Sequence, residues 1–107
     1  MDKQKKLIIL QKSNKKDKRF KVSMKNFDNM KDHSHDFGSK TGKTYVDNRT
    51  DKERLAFLAR HKSDKNFNNI HSGIYYSKNL LWGTSKDLNK NIKELEKKLN
   101  TKIINKI

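Results

Sequence analysis

The sequence predicts a small α+β domain, in which an N-terminal antiparallel hairpin extended by a third strand packs with two helices. Three observations predict it. In "RFKVSMK", apolar Phe20, Val22 and Met24 alternate with Arg19, Lys21, Ser23 and Lys25, the period of two that buries one side of a strand. Thr50-Asp51-Lys52-Glu53 has the composition of a capping box at a helix start. Leu88, Ile92, Leu95 and Leu99 recur at spacings of four, three and four, a seam about 40–60° wide on a helical wheel.

The elements follow in chain order. "KKLIILQKS" and "RFKVSMK" flank the polar "NKKDK", which reads as two strands about a turn. The hairpin then has a core face and a cationic face that carries Arg19, Lys21 and Lys25. A third short strand is expected over His33 to Phe37 and ends at Gly38, although "KDHSHD" has poor strand propensity. A helix follows over residues 51–62, with Leu55, Leu58 and Ala59 as its apolar stripe, Phe57 to one side and Arg60 on the far side.

"KSDKNFNN" breaks that helix, and "GIYYSKNLLWG" gathers Ile74, Tyr75, Tyr76, Leu80, Leu81 and Trp82 into a segment expected to plug the core. The last helix, starting near Ser85, docks through its apolar seam and sets Lys86, Lys90, Lys93 and Lys97 on the opposite side. Asn100 suits a left-handed helix end, and "TKIINKI" reads as a tail or a short edge strand. The whole of 1–107 is one small basic domain, with 1–6 and 101–107 as flexible ends.

Charge bounds the function. The chain has 107 residues, 31% of them hydrophobic, so its core is small. Lys and Arg outnumber Asp and Glu by 27 to 12, for a net charge of +15 and a pI near 10.1. Residues 1–25 hold ten basic and two acidic side chains, more than half of that excess. Such a chain repels itself unless a polyanion compensates it, which points first to nucleic acid and second to an acidic membrane surface. The longest apolar runs, Leu7 to Leu10 and Leu80 to Trp82, are too short to span a bilayer or to serve as the apolar stretch of a signal peptide, so secretion is not expected. With no cysteine there is neither a disulfide framework nor a thiolate metal site.

Three short stretches resemble catalytic or metal motifs and fall short of them. "GSKTGKT" has three residues between Gly38 and Gly42, where a phosphate-binding loop needs four, and the next helix cap, Thr50, comes too late to meet phosphates. A glycine-hinged basic loop is the better reading, with Lys40, Lys43 and backbone amides available to a polymer's phosphates. "GIYY" resembles half of the GIY-YIG nuclease signature, but no second Tyr-Ile-Gly strand and no arginine follow it. His33-Ser34-His35-Asp36 could set two imidazoles on one face of a strand, with Asp32, Asp36, His61 or His71 as further ligands. Two histidines do not close a tetrahedral site, so a polar surface strand is expected there and no metal. Nor does any spacing suggest a nucleophile with its base, so neither catalysis nor a cofactor is expected.

From Phe37 to Leu99 the landmarks "FGSKTGKTYVD", "DKERLAFLARH", "SGI", "YYSKNLLWG" and "DLNKNI" occur in an order that resembles a family of small, basic, uncharacterised proteins of giant nucleocytoplasmic DNA viruses. The matching positions include Phe37, Gly38, Gly42, Tyr45, Asp47, Arg54, Leu58, Arg60, His61, Ser72, Gly73, Ser77, Leu80, Leu81 and Trp82. Phe57 stands where that family carries tyrosine, and Tyr76 where it carries tryptophan. The resemblance implies a viral protein of the infected cell, in the virion or the viral factory, and brings no catalytic residues.

The expected function is sequence-independent nucleic-acid binding, with duplex DNA favoured, in viral DNA compaction or packaging. Lysine far exceeds arginine, and no helix start gathers the Asn, Gln and Arg that read bases. The expected contacts are Arg19, Lys21, Lys25, Lys40, Lys43, Arg60, Lys86, Lys90, Lys93 and Lys97, with viral structural proteins as further partners and self-association open to the chain. The alternative is a scaffolding protein of the particle whose charge meets acidic protein or membrane surfaces.

Overall fold

The computed structural model describes residues 6–27 and 31–107. Strands β1 (Leu7–Lys12), β2 (Lys18–Lys25) and β3 (His33–Ser39) form an antiparallel meander. A 3-10 turn (Tyr45–Asp47) leads to helix α1 (Asp51–His61). The chain then enters α2 (Gly73–Tyr76), whose last turn widens into a π-helical stretch (Ser77–Leu81), and runs through α3 (Leu88–Leu99) into strand β4 (Lys102–Asn105). The sheet order is β3-β2-β1-β4, with β4 parallel to β1. The α+β class therefore holds, with three helices and a fourth strand.

Alternation decides the two faces of the sheet. Ile8 and Leu10 of β1 lie opposite Met24 and Val22 of β2, and Phe20 lies opposite Phe37 of β3. All six are buried, and Ile103 of β4 extends the row beside Ile8. Tyr75, Tyr76, Leu80 and Leu81 close over this face, followed by Ile92 and Leu95 of α3. Each such aliphatic or aromatic side chain contributes about 1.5–3 kcal/mol of burial, so the segment expected to plug the core does so.

One expectation about the ends is revised. Residues 102–105 are not a flexible end: parallel pairing with β1 and burial of Ile103 fix them, and the Lys106 amide donates to the Leu10 carbonyl at 2.7 Å. At the other end, the flexible segment expected over 1–6 lies, except for Lys6, outside the described residues. Asn100 does close α3 in the left-handed region, at φ 49°.

Helix α1 presents a different side from the one its leucines suggest. Thr50 caps it as expected, accepting from the Glu53 amide while Glu53 accepts from the Thr50 amide. Its buried residue is Phe57, stacked on Trp82 with centroids 4.8 Å apart and planes 6° from parallel. Leu55 is 61% exposed and Ala59 is exposed. Arg54, one turn before Phe57, donates from Nε to the carbonyls of Trp82 and Gly83 at 3.1 and 2.8 Å. Together the stack and the guanidinium select the inward face, which turns Leu55 and Ala59 outward.

Candidate nucleic-acid interface

The second face of the sheet is built by the same alternation. Its cross-strand rows run Lys102–Leu7–Lys25, then Ile104–Ile9–Ser23–Ser34, then Gln11–Lys21–Asp36. Helices α2 and α3 pack on the other side, through Tyr75, Tyr76, Ile92 and Leu95. This open face carries three lysines, the Asp36 carboxylate, hydroxyls and a short aliphatic strip, and no aromatic ring among the described residues. Bases therefore find no stacking platform on it, whereas phosphates find ammonium groups and hydroxyl donors. Lysine stems cover apolar neighbours while their charges stay in water, which suits Leu7 between Lys25 and Lys102.

The expected contact residues do not share one surface. Lys21 and Lys25 lie on the open face, Lys25 within 3.6 Å of Asp32 in a pair too exposed to hold it. Arg19 is committed elsewhere: its guanidinium grips both carboxylate oxygens of Asp47. Gly38, beside it on β3, has φ 78° and no room for a side chain, since a Cβ there would lie 2.7 Å from Leu81 Cδ1 and 3.3 Å from Arg19 Cβ. Arg60 is exposed on α1.

Lys40 and Lys43 are exposed, but the amides expected to join them in holding phosphate are already used. The Thr41 and Gly42 amides donate to Ser39 Oγ, the Lys40 amide to the Asp17 carbonyl, and the Thr44 amide to Asp47. With these four amides used, the two lysine side chains are the main groups left for an anion.

On α3, Leu88, Ile92, Leu95 and Leu99 face the sheet, and Lys90, Lys93 and Lys97 are exposed on the opposite side. Lys86 is not part of that row. Asp87 caps the helix by accepting from the Asn89 amide, so α3 starts at Leu88. Lys86 instead lies over the Tyr45 ring, 5.2 Å from its centroid, and donates to Asn48 Oδ1. Since α3 covers the inner face of the sheet, its lysines and those of the open face point away from each other across the molecule.

Few carboxylates are left to neutralise these lysines. Asp47 receives Arg19 and the Thr44 amide and hydroxyl, Asp36 receives Ser13 and Lys15, and Asp87 and Glu53 cap helices. Glu96 accepts from the Ile103 amide and Asp51 from the Tyr45 hydroxyl. The acids are spent on turns and helix ends, where local backbone donors hold them. Lys40, Lys43, Lys90, Lys93, Lys97 and Lys102 form no salt bridge among the described residues, and Lys21 lies opposite Asp36, which Ser13 and Lys15 already hold. Lys102 was not expected here; it reaches the open face only because β4 pairs with β1, a contact nearly a chain length apart.

A family model described as "Family of unknown function (DUF5754)" matches residues 8–61, from β1 through α1. No curated protein and no solved structure matches the chain. Among the described residues no helix is long and apolar enough to cross a membrane.

Proposed function

The chain belongs to that family of unknown function, DUF5754, and from its surface we propose that it binds nucleic acid, duplex DNA above all, without regard to base sequence, and compacts it. The observation that carries the proposal is the pair of cationic faces set back to back: Lys21, Lys25 and Lys102 on the sheet, and Lys90, Lys93 and Lys97 on α3. One straight duplex cannot touch both. A molecule with both can bridge two duplex segments, and each bridge releases counterions from both. Lysine side chains on a sheet and on a helix flank, with no aromatic stacking surface and no helix start rich in Asn, Gln and Arg, favour phosphate contact over base reading. Following the likeness of residues 37–99 to proteins of giant DNA viruses, we take the setting to be viral DNA packaging in the virion or viral factory.

Light scattering and gel shift on unrelated DNA duplexes test this together. Binding of similar affinity to all sequences, with condensation of long DNA at protein excess, is the expected result. No binding at about 50 mM salt, where phosphate contacts are strongest, overturns it. Crosslinking of the same lysines to acidic proteins of the particle, with retention there after complete DNA digestion, would favour the scaffolding alternative.

A further inference from the structure

The two histidines of β3 do not sit on a polar surface strand. His35 lies opposite Val22 and His33 opposite Met24, so both imidazoles project from the core face at the edge of the sheet. There the segment between α1 and α2 brings in a third, His71. The ring centroids of His33 are 5.1 Å from those of both His35 and His71, and His33 Nε2 is 3.0 Å from His71 Nδ1. Phe27 and His71 meet with their rings nearly perpendicular, centroids 6.1 Å apart.

The protonation pattern points the His33 lone pair inward, where it accepts from His71 Nδ1; metal binding exchanges that hydrogen bond by moving the His71 proton to Nε2. His33 Nδ1 lies 3.0 Å from the Lys31 carbonyl, which can only accept, so that nitrogen carries the proton and Nε2 is left with its lone pair. A backbone carbonyl behind an imidazole is the usual support of a metal-bound histidine, because it fixes tautomer and ring orientation. His35 Nε2 is buried with no hydrogen-bond partner among the described residues. A buried polar nitrogen left unpaired costs about 1–3 kcal/mol unless something occupies it.

The other groups that could serve as ligands are turned elsewhere. Asp36 faces Ser13 and Lys15, Asp32 accepts from the Asn26 amide beside Lys25, and His61 packs on Phe57. The donor set is three imidazoles, half-buried, with ligand atoms within 4.8 Å of one another. Metal–nitrogen bonds of about 2.0–2.1 Å set such atoms about 3.3 Å apart, so ring rotations of roughly an ångström close the site. All-nitrogen donors suit zinc and the later first-row metals and not magnesium or calcium, and three ligands leave one position open.

We propose that His33, His35 and His71 form a binding site for a divalent transition metal, zinc first, which ties edge strand β3 to the segment entering α2. Calorimetric titration of the full chain with zinc chloride, in a buffer free of chelators, tests it. One zinc per chain is expected, no response to magnesium, and a thermal midpoint raised by zinc. His71→Ala, on a loop, should keep its far-ultraviolet circular dichroism yet lose more than about 100-fold in zinc affinity, beyond the loss typical of an outer-shell partner. His61→Ala should bind as the parent does. Cobalt in place of zinc should give the strong visible absorption of a tetrahedral site in the parent and not in His71→Ala. Absence of saturable one-to-one zinc binding, or unchanged affinity in His71→Ala, overturns the site.

Discussion

Arg19 of β2 and Asp47 of the 3-10 turn form a two-point ion pair across 28 positions of sequence, and the same carboxylate accepts from the Thr44 amide and hydroxyl at 2.9 Å. The turn that spells part of a phosphate-binding loop is thus pinned to the sheet by a cation that was expected to meet DNA. Asp47 thereby ties the turn that precedes α1 to the sheet.

Stability should fall in acid through this residue. The Arg19 guanidinium, then the Thr44 donors, hold the Asp47 carboxyl at about 2 in the folded chain, against 3.8 for the free group. A depressed carboxyl stabilises above its unfolded value and loses that contribution as pH falls from about 4 towards 2. With solvent screening at a partly exposed pair, the expected loss is about 1–2 kcal/mol. Urea midpoints measured from pH 6 to pH 2 should show a shallower fall in Asp47→Asn than in the parent; parallel curves would exclude the contribution.

The inward side of α1 carries Phe57, Arg54 and half-buried Leu58, not Leu55 and Ala59. Phe57→Ala should cost about 2–4 kcal/mol and change the emission of Trp82, the only tryptophan. Leu55→Lys, at an exposed position, should stay within about 0.5 kcal/mol. Urea denaturation of both variants checks the pair, and the reverse ranking would place α1 the other way round.

Tyr76 is fully buried, and its hydroxyl has no hydrogen-bond partner among the described residues, so burial pushes its ionisation far up. Removing an unpaired buried hydroxyl relieves its desolvation. Tyr76→Phe should therefore be neutral or more stable by up to about 1 kcal/mol in thermal melts. A loss larger than that would reveal a partner for the hydroxyl.

The two cationic faces should separate in experiment. With about 5–8 phosphates engaged, log K should fall with log salt at a slope of roughly −5 to −7. Replacing Lys90, Lys93 and Lys97 by Gln should leave the thermal midpoint nearly unchanged, because exposed lysines contribute little to folding. That variant should keep binding to short duplexes through the sheet but fail to condense long DNA. Replacing Lys21, Lys25 and Lys102 instead should weaken binding to short duplexes, measured by fluorescence anisotropy. If the α3 variant condenses DNA like the parent, bridging is not its mechanism.

Local pattern by itself determined much of this protein. Period-two alternation in β2, the Thr50–Glu53 box and the 4-3-4 seam of α3 each encode an element through contacts within a few residues, and all three form as read. Net charge likewise needs no fold. What only the tertiary structure decided depends on pairs far apart in the chain. The parallel pairing of β4 with β1 brought Lys102 to the open face; the tail could be read as a short edge strand, but its four residues carry no signal for which strand they pair with or in which direction. The side of α1 that turns inward was set by Trp82, which no periodicity within α1 could register. Arg19 was drawn from a basic row into an ion pair by a turn 28 residues on, and His71 was brought to His33 across 38. Local sequence specifies hydrogen bonds that close within a turn; which charge is free, and which imidazoles meet, is settled by packing of segments whose contacts the chain's order does not spell out.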